Sequence, residues 1–240
     1  MNDSPAAKPR LSIVIPAMNE EEGIGETLDV IPVKELEEMG YPVEVIVVDG
    51  ESVDRTREIA REKGARVVIE PRKGYGRAYK TGFEVAQGDV IATGDADTTY
   101  PFDKLPEYLR YFEREGLDFL TGNRFGKLQP GAMSAKHKVG NFVLSTTGRV
   151  LFLANIKDSQ SGMWLLKRSI LPRLKLTSDG MPFSEEIKLE AFTKGDLKSR
   201  EIPIEYRVRV GEVKLASWKD GWRNLKFFFK KRFGMAEPES

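Results

Sequence analysis

Two aspartates one residue apart, Asp95 and Asp97, close a short apolar run in the stretch Ala92–Pro101 (ATGDADTTYP). Ala96 between them is small enough for the backbone to bend and send both carboxylates to one side. Hard divalent cations take oxygen ligands, and Mg²⁺ or Mn²⁺ is commonly held by one or two carboxylates together with substrate phosphates. Such a loop would hold a diphosphate through the metal and offset the charge that develops as the diphosphate departs. An isolated D-x-D also reads as a solvated turn, so its weight depends on its neighbours. Asp49 ends another apolar run, Val43–Val48 (VEVIVV), where its carboxylate can accept from an N–H of a nucleotide base. Asp54, five residues on, reads as the N-terminal cap of a helix. After Leu11–Ile15 (LSIVI), the stretch PAMNEEEGI offers Asn19 as a helix cap and Glu20 as a residue facing a nucleoside.

These groups need a scaffold that brings strand ends to one rim. LSIVI, VEVIVV and Val90–Thr93 (VIAT) have the β-branched composition of buried strands, with a fourth short run at Arg66–Ile69. Between them lie segments of helical composition, Glu20–Ile31, Val53–Lys63 and Tyr75–Ala86. Alternating strand and helix predict an α/β fold with a mostly parallel central sheet and helices on both faces. In such sheets ligands gather beyond the carboxyl ends of the strands, where all three polar stretches fall. The second half predicts strands at Phe119–Thr121, Met163–Lys167 and Ser199–Ile204, and helices over 137–154 and Ser184–Thr193. No repeat or linker divides the chain, which predicts one domain over 11–215, a helix over 216–235 that is part of it or appended, and a disordered start at 1–10.

Composition removes several chemistries. Lys plus Arg number 38 against 37 Asp plus Glu, so the net charge of +1 gives no global pull toward nucleic acid. There is no cysteine and a single histidine, His137, which excludes disulfides and thiol catalysis and leaves no set for structural zinc. The polar start MNDSPAAKPR and the lack of a long apolar window predict a cytoplasmic chain with no signal peptide and no membrane span. The glycine-containing stretch Arg72–Gly82 (RKGYGRAYKTG) suggests a phosphate cradle at a helix start. It carries Tyr79-Lys80-Thr81 where a Walker loop needs Gly-Lys-Ser/Thr, and it does not follow the first strand, so neither nucleotide fingerprint is met.

Taken in order, SIVIPAMNEEEGI, VVDGESVDRT, KGYGRAYKTGF, GDADTTYP, GNRF, DSQSGMW and REIPIEYRVR resemble glycosyltransferase family 2 from Leu11 to about Phe233. Within it the likeness is closest to the dolichyl-phosphate and polyprenyl-phosphate sugar synthases. The resemblance implies a GT-A fold, a nucleotide-sugar donor, a Mg²⁺ or Mn²⁺ ion, and inverting transfer of a hexose to dolichyl or polyprenyl phosphate. It implies donor contacts from Pro16, Ala17, Glu20, Asp49, Asp95, Arg209 and Lys214, and metal contacts from Asp95 and Asp97. Arg124 of GNRF would meet the acceptor phosphate with Lys138 and Asn141, which makes Asp97 and Arg124 the pair nearest the chemistry. Asp158 and Glu186 match acidic positions that orient sugar hydroxyls or are structural, and Arg207 joins the basic loop of Arg209 and Lys214. Thr99 stands where some relatives carry a metal-binding glutamine. A soluble or polysaccharide acceptor, or a binding protein without turnover, are the competing readings.

Residues 214–233 (KLASWKDGWRNLKFFFKKRF) carry seven Lys or Arg against one Asp. On a helix Trp218, Trp222, Leu225 and Phe229 share one face, which either packs on the core or lies among anionic lipid headgroups. A polyprenyl acceptor favours peripheral contact with the cytoplasmic face of a membrane.

Overall fold

The computed structural model describes residues 10–211 and 217–235. In chain order the elements are β1 (Leu11–Ala17), α1 (Ile24–Asp29), α2 (Val33–Glu38), β2 (Val43–Asp49), α3 (Thr56–Glu62), β3 (Arg66–Ile69), α4 (Tyr75–Val85) and β4 (Val90–Thr93). They continue with α5 (Leu105–Arg114), β5 (Phe119–Leu128), α6 (Ala135–Phe152), β6 (Trp164–Lys167), α7 (Phe183–Thr193), β7 (Ser199–Tyr206) and α8 (Ser217–Arg232). The predicted 1–10 start falls outside the described residues except for Arg10.

The strands form one sheet in the order β3-β2-β1-β4-β6-β5-β7. Only β6 runs against its neighbours; every other pairing is parallel. Strands covered on both faces are apolar at most positions, which explains the runs LSIVI and VEVIVV; their two polar residues pair with each other, the Ser12 hydroxyl donating to Glu44 Oε1 at 2.6 Å. Leu11, Ile13, Ile15 and Ala17 of β1 point into one core with Leu28, Leu36, Ala60, Leu109 and Phe112 from α1, α2, α3 and α5. Val14, Ile46, Val48 and Ile91 point into the other, with Tyr79 and Phe83 of α4 and Phe183 and Ile187 of α7. A third cluster, Leu144, Ala154, Ile156, Leu189 and Phe228, joins α6, α7 and α8. The helices cross closely there because Gly148 has no side chain; a Cβ on it would lie 2.9 Å from Phe228.

Several elements differ from expectation. The helix predicted over 20–31 begins only at Ile24, because Asn19 takes a left-handed φ of 53° and a turn follows it. A separate α2 starts after Pro32. Helix α5 has no counterpart in the sequence reading, although its buried Leu105, Tyr108, Leu109 and Phe112 keep helical spacing. Helix α6 starts earlier than expected, with the Ser134 hydroxyl accepting from the His137 N–H. Strand β5 continues through GNRF to Leu128, so Arg124 lies on a strand and not in a loop. Among the described residues no helix is long and apolar enough to cross a membrane.

Candidate active site

Strand order reverses between β1 and β4, and the crevice at their carboxyl ends is where an open α/β sheet accepts a ligand. The register sets Ala17 opposite Asp49, so the ends of β1 and β2 reach the rim together, with Pro16 half-buried beside them. Three non-glycine residues take left-handed backbone just past these strands: Asn19, Glu51 and Thr98, with φ of 53°, 60° and 66°. Such backbone costs free energy and persists where surrounding contacts impose it.

Those contacts tie the loops to one another. The Asn19 N–H donates to Ser52 Oγ at 2.9 Å, and Asn19 Oδ1 accepts from the Val53 N–H at 2.8 Å. Asn19 therefore straps the first loop to the second and does not cap a helix. Asp54 stands one residue before the N-cap of α3, which is Arg55; it accepts from the Thr56 N–H at 3.0 Å and from the Glu21 N–H, so it ties the two loops together and is not itself the cap. Asp49 is fully buried; its Oδ2 accepts from the Ser52 N–H at 3.0 Å and lies 3.7 Å from Arg57 Nε. Its Oδ1 is buried with no protein partner among the described residues. A buried acceptor left unmet is costly, so this oxygen is suited to a donor brought by a ligand.

The acidic pair sits in a prepared electrostatic setting. Asp97 Oδ1 accepts from both Thr99 Oγ1 at 2.6 Å and the Thr99 N–H at 3.2 Å. Thr99 thus fixes one oxygen of Asp97. Its Oδ2 accepts from Arg209 Nη1 at 2.6 Å, while Arg209 Nη2 donates to Glu20 Oε1 at 2.6 Å. Asp95 Oδ1 accepts from Tyr75 Oη at 3.1 Å. Burial, and then the charge of Asp97, push the Asp95 carboxyl up to about 7. Gly162 is pressed against the same spot: a Cβ there would sit 2.3 Å from Tyr75 Oη and 3.4 Å from Asp95 Oδ1.

Arg124 approaches from the other side of β4. Its Nε and Nη2 donate to the two oxygens of Asp158 at 2.8 and 2.9 Å, and its own N–H donates to Oδ2 at 3.0 Å. The guanidinium lies over the Tyr206 ring, 5.2 Å from its centroid. Burial opposes ionisation of Asp158, but the adjacent Arg124 outweighs it and holds the carboxyl below its usual range. Beneath the pair, Lys188 is fully buried and donates to the Asp158 carbonyl at 2.8 Å. Burial draws its ammonium down to about 7.

The rim therefore gathers Pro16, Ala17, Glu20, Asp49, Asp95, Asp97 and Arg209, with Arg124 set behind them. Other expected residues are placed differently. Arg207 is held away from the acidic pair by Asp103 and Glu205, 2.9 Å from each. Glu186 is consumed by Thr177, by the Ser178 N–H and by Lys231 of α8, so it braces α7 and has no oxygen to give a sugar. Lys138 is exposed near the start of α6, and Asn141 is half-buried with its Nδ2 3.6 Å from Met133 Sδ. Neither is bonded to Arg124. Lys214 lies outside the described residues. Tyr75, Thr99 and Gly162 escaped the sequence reading as site residues; KGYGRAYKTGF drew notice as a phosphate cradle, yet its contribution is a tyrosine hydroxyl on Asp95.

Residues 12–174, more than half of the chain, match the family described as Glycosyl transferase family 2. The chain is 43% identical over 222 residues to the low-salt glycan biosynthesis hexosyltransferase Agl6 of Haloferax volcanii, covering 91% of this chain and 53% of that protein. It is 34% identical over 214 residues to a dolichyl-phosphate hexose transferase of the same organism, covering 88% of this chain and 89% of the relative. It is 29% identical over 218 residues to the dolichol-phosphate mannosyltransferase of Pyrococcus furiosus, 59% of which is covered. The chain thus spans little more than half the length of two of these three. In fold it resembles glucosyl-3-phosphoglycerate synthase from Mycobacterium tuberculosis solved with Mn²⁺, UDP and glucosyl-3-phosphoglycerate, with a TM-score of 0.71 and 22% identity, covering 98% of this chain and 82% of that one. The same synthase with Mg²⁺ and UDP gives 0.74.

Proposed function

The chain belongs to glycosyl transferase family 2 and has the GT-A fold, and on that premise we propose that it transfers a hexose, with inversion, from a GDP-mannose- or UDP-glucose-type donor to dolichyl or polyprenyl phosphate. The observation that carries the proposal is one rim holding an acidic pair, an unmet buried acceptor and two arginines. Asp49 Oδ1 would accept from the base N–H that uracil and guanine both offer. Glu20 would face the nucleoside, Arg209 would meet the diphosphate and Arg124 the acceptor phosphate, as guanidinium groups pair well with phosphate oxygens. The relatives named for dolichyl-phosphate transfer support the acceptor class.

Asp95 and Asp97 fit a divalent cation: their oxygens suit Mg²⁺ or Mn²⁺, and Asp95, raised by burial and then by the charge of Asp97, has that second carboxylate two residues away. Such an ion, held by these two carboxylates, would neutralise charge on the diphosphate. The protein's own groups do the rest. A phosphate monoester, with a second pKa of about 6, is anionic near neutral pH and needs no strong base to attack. Arg124, locked by two bonds to Asp158, would aim that phosphate oxygen at the anomeric carbon, and alignment would supply much of the rate.

A polyprenyl acceptor resides in lipid, and α6 with α8 offers a means of reaching it. Trp222 and Phe229 of α8 point outward, 60% and 44% exposed, while Asn224, Phe227, Phe228 and Lys231 form the stripe turned to the protein. On α6, Phe142 and Val150 are equally exposed. Set among Lys138, Arg223, Lys226 and Lys230, these residues suit an anionic membrane surface. The test is radiolabelled transfer from a panel of GDP- and UDP-sugars with Mn²⁺ and polyprenyl phosphate. Label entering the organic phase is expected; label reaching only water or a soluble acceptor overturns the lipid reading.

A further inference from the structure

Arg124 is held by Asp158, the first residue of the segment 158–162 (DSQSG), and the next two residues of that segment are gripped by three helices, α6, α7 and α8. The Ser159 N–H donates to Ser145 Oγ of α6 at 2.9 Å. Gln160 Oε1 accepts from Asn224 Nδ2 of α8 at 2.6 Å, and its Nε2 donates to Glu185 Oε2 at 2.8 Å. The Gln160 N–H donates at 3.2 Å to Asp158 Oδ1, the oxygen that also accepts from Arg124 Nη2. A hydrogen-bonded path, half-buried at Gln160, thus runs from α6 and α8, with α7 bracing it, to the guanidinium.

Stability alone does not account for this junction. Ser145, Ser159, Glu185 and Asn224 are all buried, and Glu185 Oε1 and Asn224 Oδ1 have no protein partner among the described residues. Incompletely satisfied buried polar groups are often no more stable than apolar residues of the same volume. Their best-attested benefit is to fix one register, as a single buried asparagine does between paired helices. Here the register fixed is that of α8 and α6 against the segment that clamps Arg124.

We propose that Ser145 and Asn224 are positioning residues for Arg124: through Ser159 and Gln160 they set Asp158, and the seating of α6 and α8 thereby sets the arginine that faces the acceptor phosphate. The kinetic consequence rests on the proposed reading of Arg124; the positioning does not. Asn224→Leu removes the donor to Gln160 while keeping the branching and heavy-atom count of the side chain, and Phe227→Leu, buried on the same helix, is the control for general loosening.

Two readouts separate the possibilities. In the ligand-free protein, the Nε–H resonance of Arg124, identified by its loss in Arg124→Lys, is expected to shift in Asn224→Leu and to stay in place in Phe227→Leu. With a short-chain, water-soluble prenyl phosphate and no vesicles, Asn224→Leu is expected to raise the acceptor KM about tenfold, the scale of one lost hydrogen bond to a charged network, with the donor KM unchanged. Ser145→Ala is expected to act in the same direction. An unmoved Arg124 resonance in Asn224→Leu, or an equal shift in Phe227→Leu, overturns the proposal. A shifted resonance in a protein that transfers nothing to prenyl phosphate upholds the positioning and removes the acceptor reading alone.

Discussion

Arg209 makes two ionic hydrogen bonds of 2.6 Å, one to Asp97 and one to Glu20, from a position only about a quarter exposed. In the free protein it is the internal counter-ion of the acidic pair, so a divalent cation at Asp97 must compete with it. Arg209→Ala removes the competitor. A hydrogen bond to a charged group is worth about 1.5–3 kcal/mol, and solvent on one side of the pair puts the effect near the lower end. Affinity for Mn²⁺ alone is therefore expected to rise about tenfold, 1.4 kcal/mol being a factor of ten. Affinity for GDP or UDP at saturating Mn²⁺ is expected to fall by at least as much, because the diphosphate loses the arginine. Opposite signs distinguish this from general damage to the site. Isothermal titration of Mn²⁺ without nucleotide, then of nucleotide with Mn²⁺, measures both. Unchanged or weaker Mn²⁺ binding in the variant would refute the competition.

Asp95 titrates near 7, and a cation needs it ionised, so Mn²⁺ affinity is expected to climb as pH rises from 5 to 7 and to level above it; a flat profile by titration at four pH values would count against Asp95 as a ligand. Asp49→Asn puts an amide where a lone carboxylate oxygen is buried, and nucleotide binding is expected to weaken by about 1.5–3 kcal/mol with little change in melting temperature. Asp158→Asn leaves Arg124 buried and unpaired, which is expected to cost about 3–5 kcal/mol of stability by denaturant unfolding. Lys188 is depressed to about 7, so below that pH its buried charge burdens the folded state, and the burden is relieved as pH rises toward the unfolded pKa of about 10.4. Wild-type melting temperature relative to Lys188→Met is accordingly expected to increase from pH 7 to pH 9.

Much of this was legible because the relevant signals are local. Strands covered on both faces are largely apolar, and LSIVI, VEVIVV and VIAT each carry a single polar residue, Ser12, Glu44 and Thr93. Polar residues at the ends of those runs had to lie on one rim once the strands were parallel, and Asp49, Asp95 and Asp97 stand at those ends. Helix α5 escaped the sequence reading despite the helical spacing of Leu105, Tyr108, Leu109 and Phe112; it carries a proline, Pro106, in its first turn. The face of α8 offered two readings because helical periodicity names a stripe but not its direction. The polar Asn224 and Lys231 turn inward to Gln160 and Glu190, and the aromatic Trp222 and Phe229 turn out.

By itself the sequence determined the class of fold, the strands and most of the helices between them, and the acidic rim, all of which follow from composition and periodicity along the chain. Only the tertiary structure decided who meets whom across long separations. It gave Arg209 to Asp97 and Glu20, turned Arg207 away to Asp103, spent Glu186 on the brace to α8, and set Arg124 on Asp158. A side chain's charge and length are written in the sequence, but the partner that satisfies it is fixed by the packing of elements far apart in the chain. In a buried site it is that partner which decides whether a carboxylate is a ligand, a clamp or a strut.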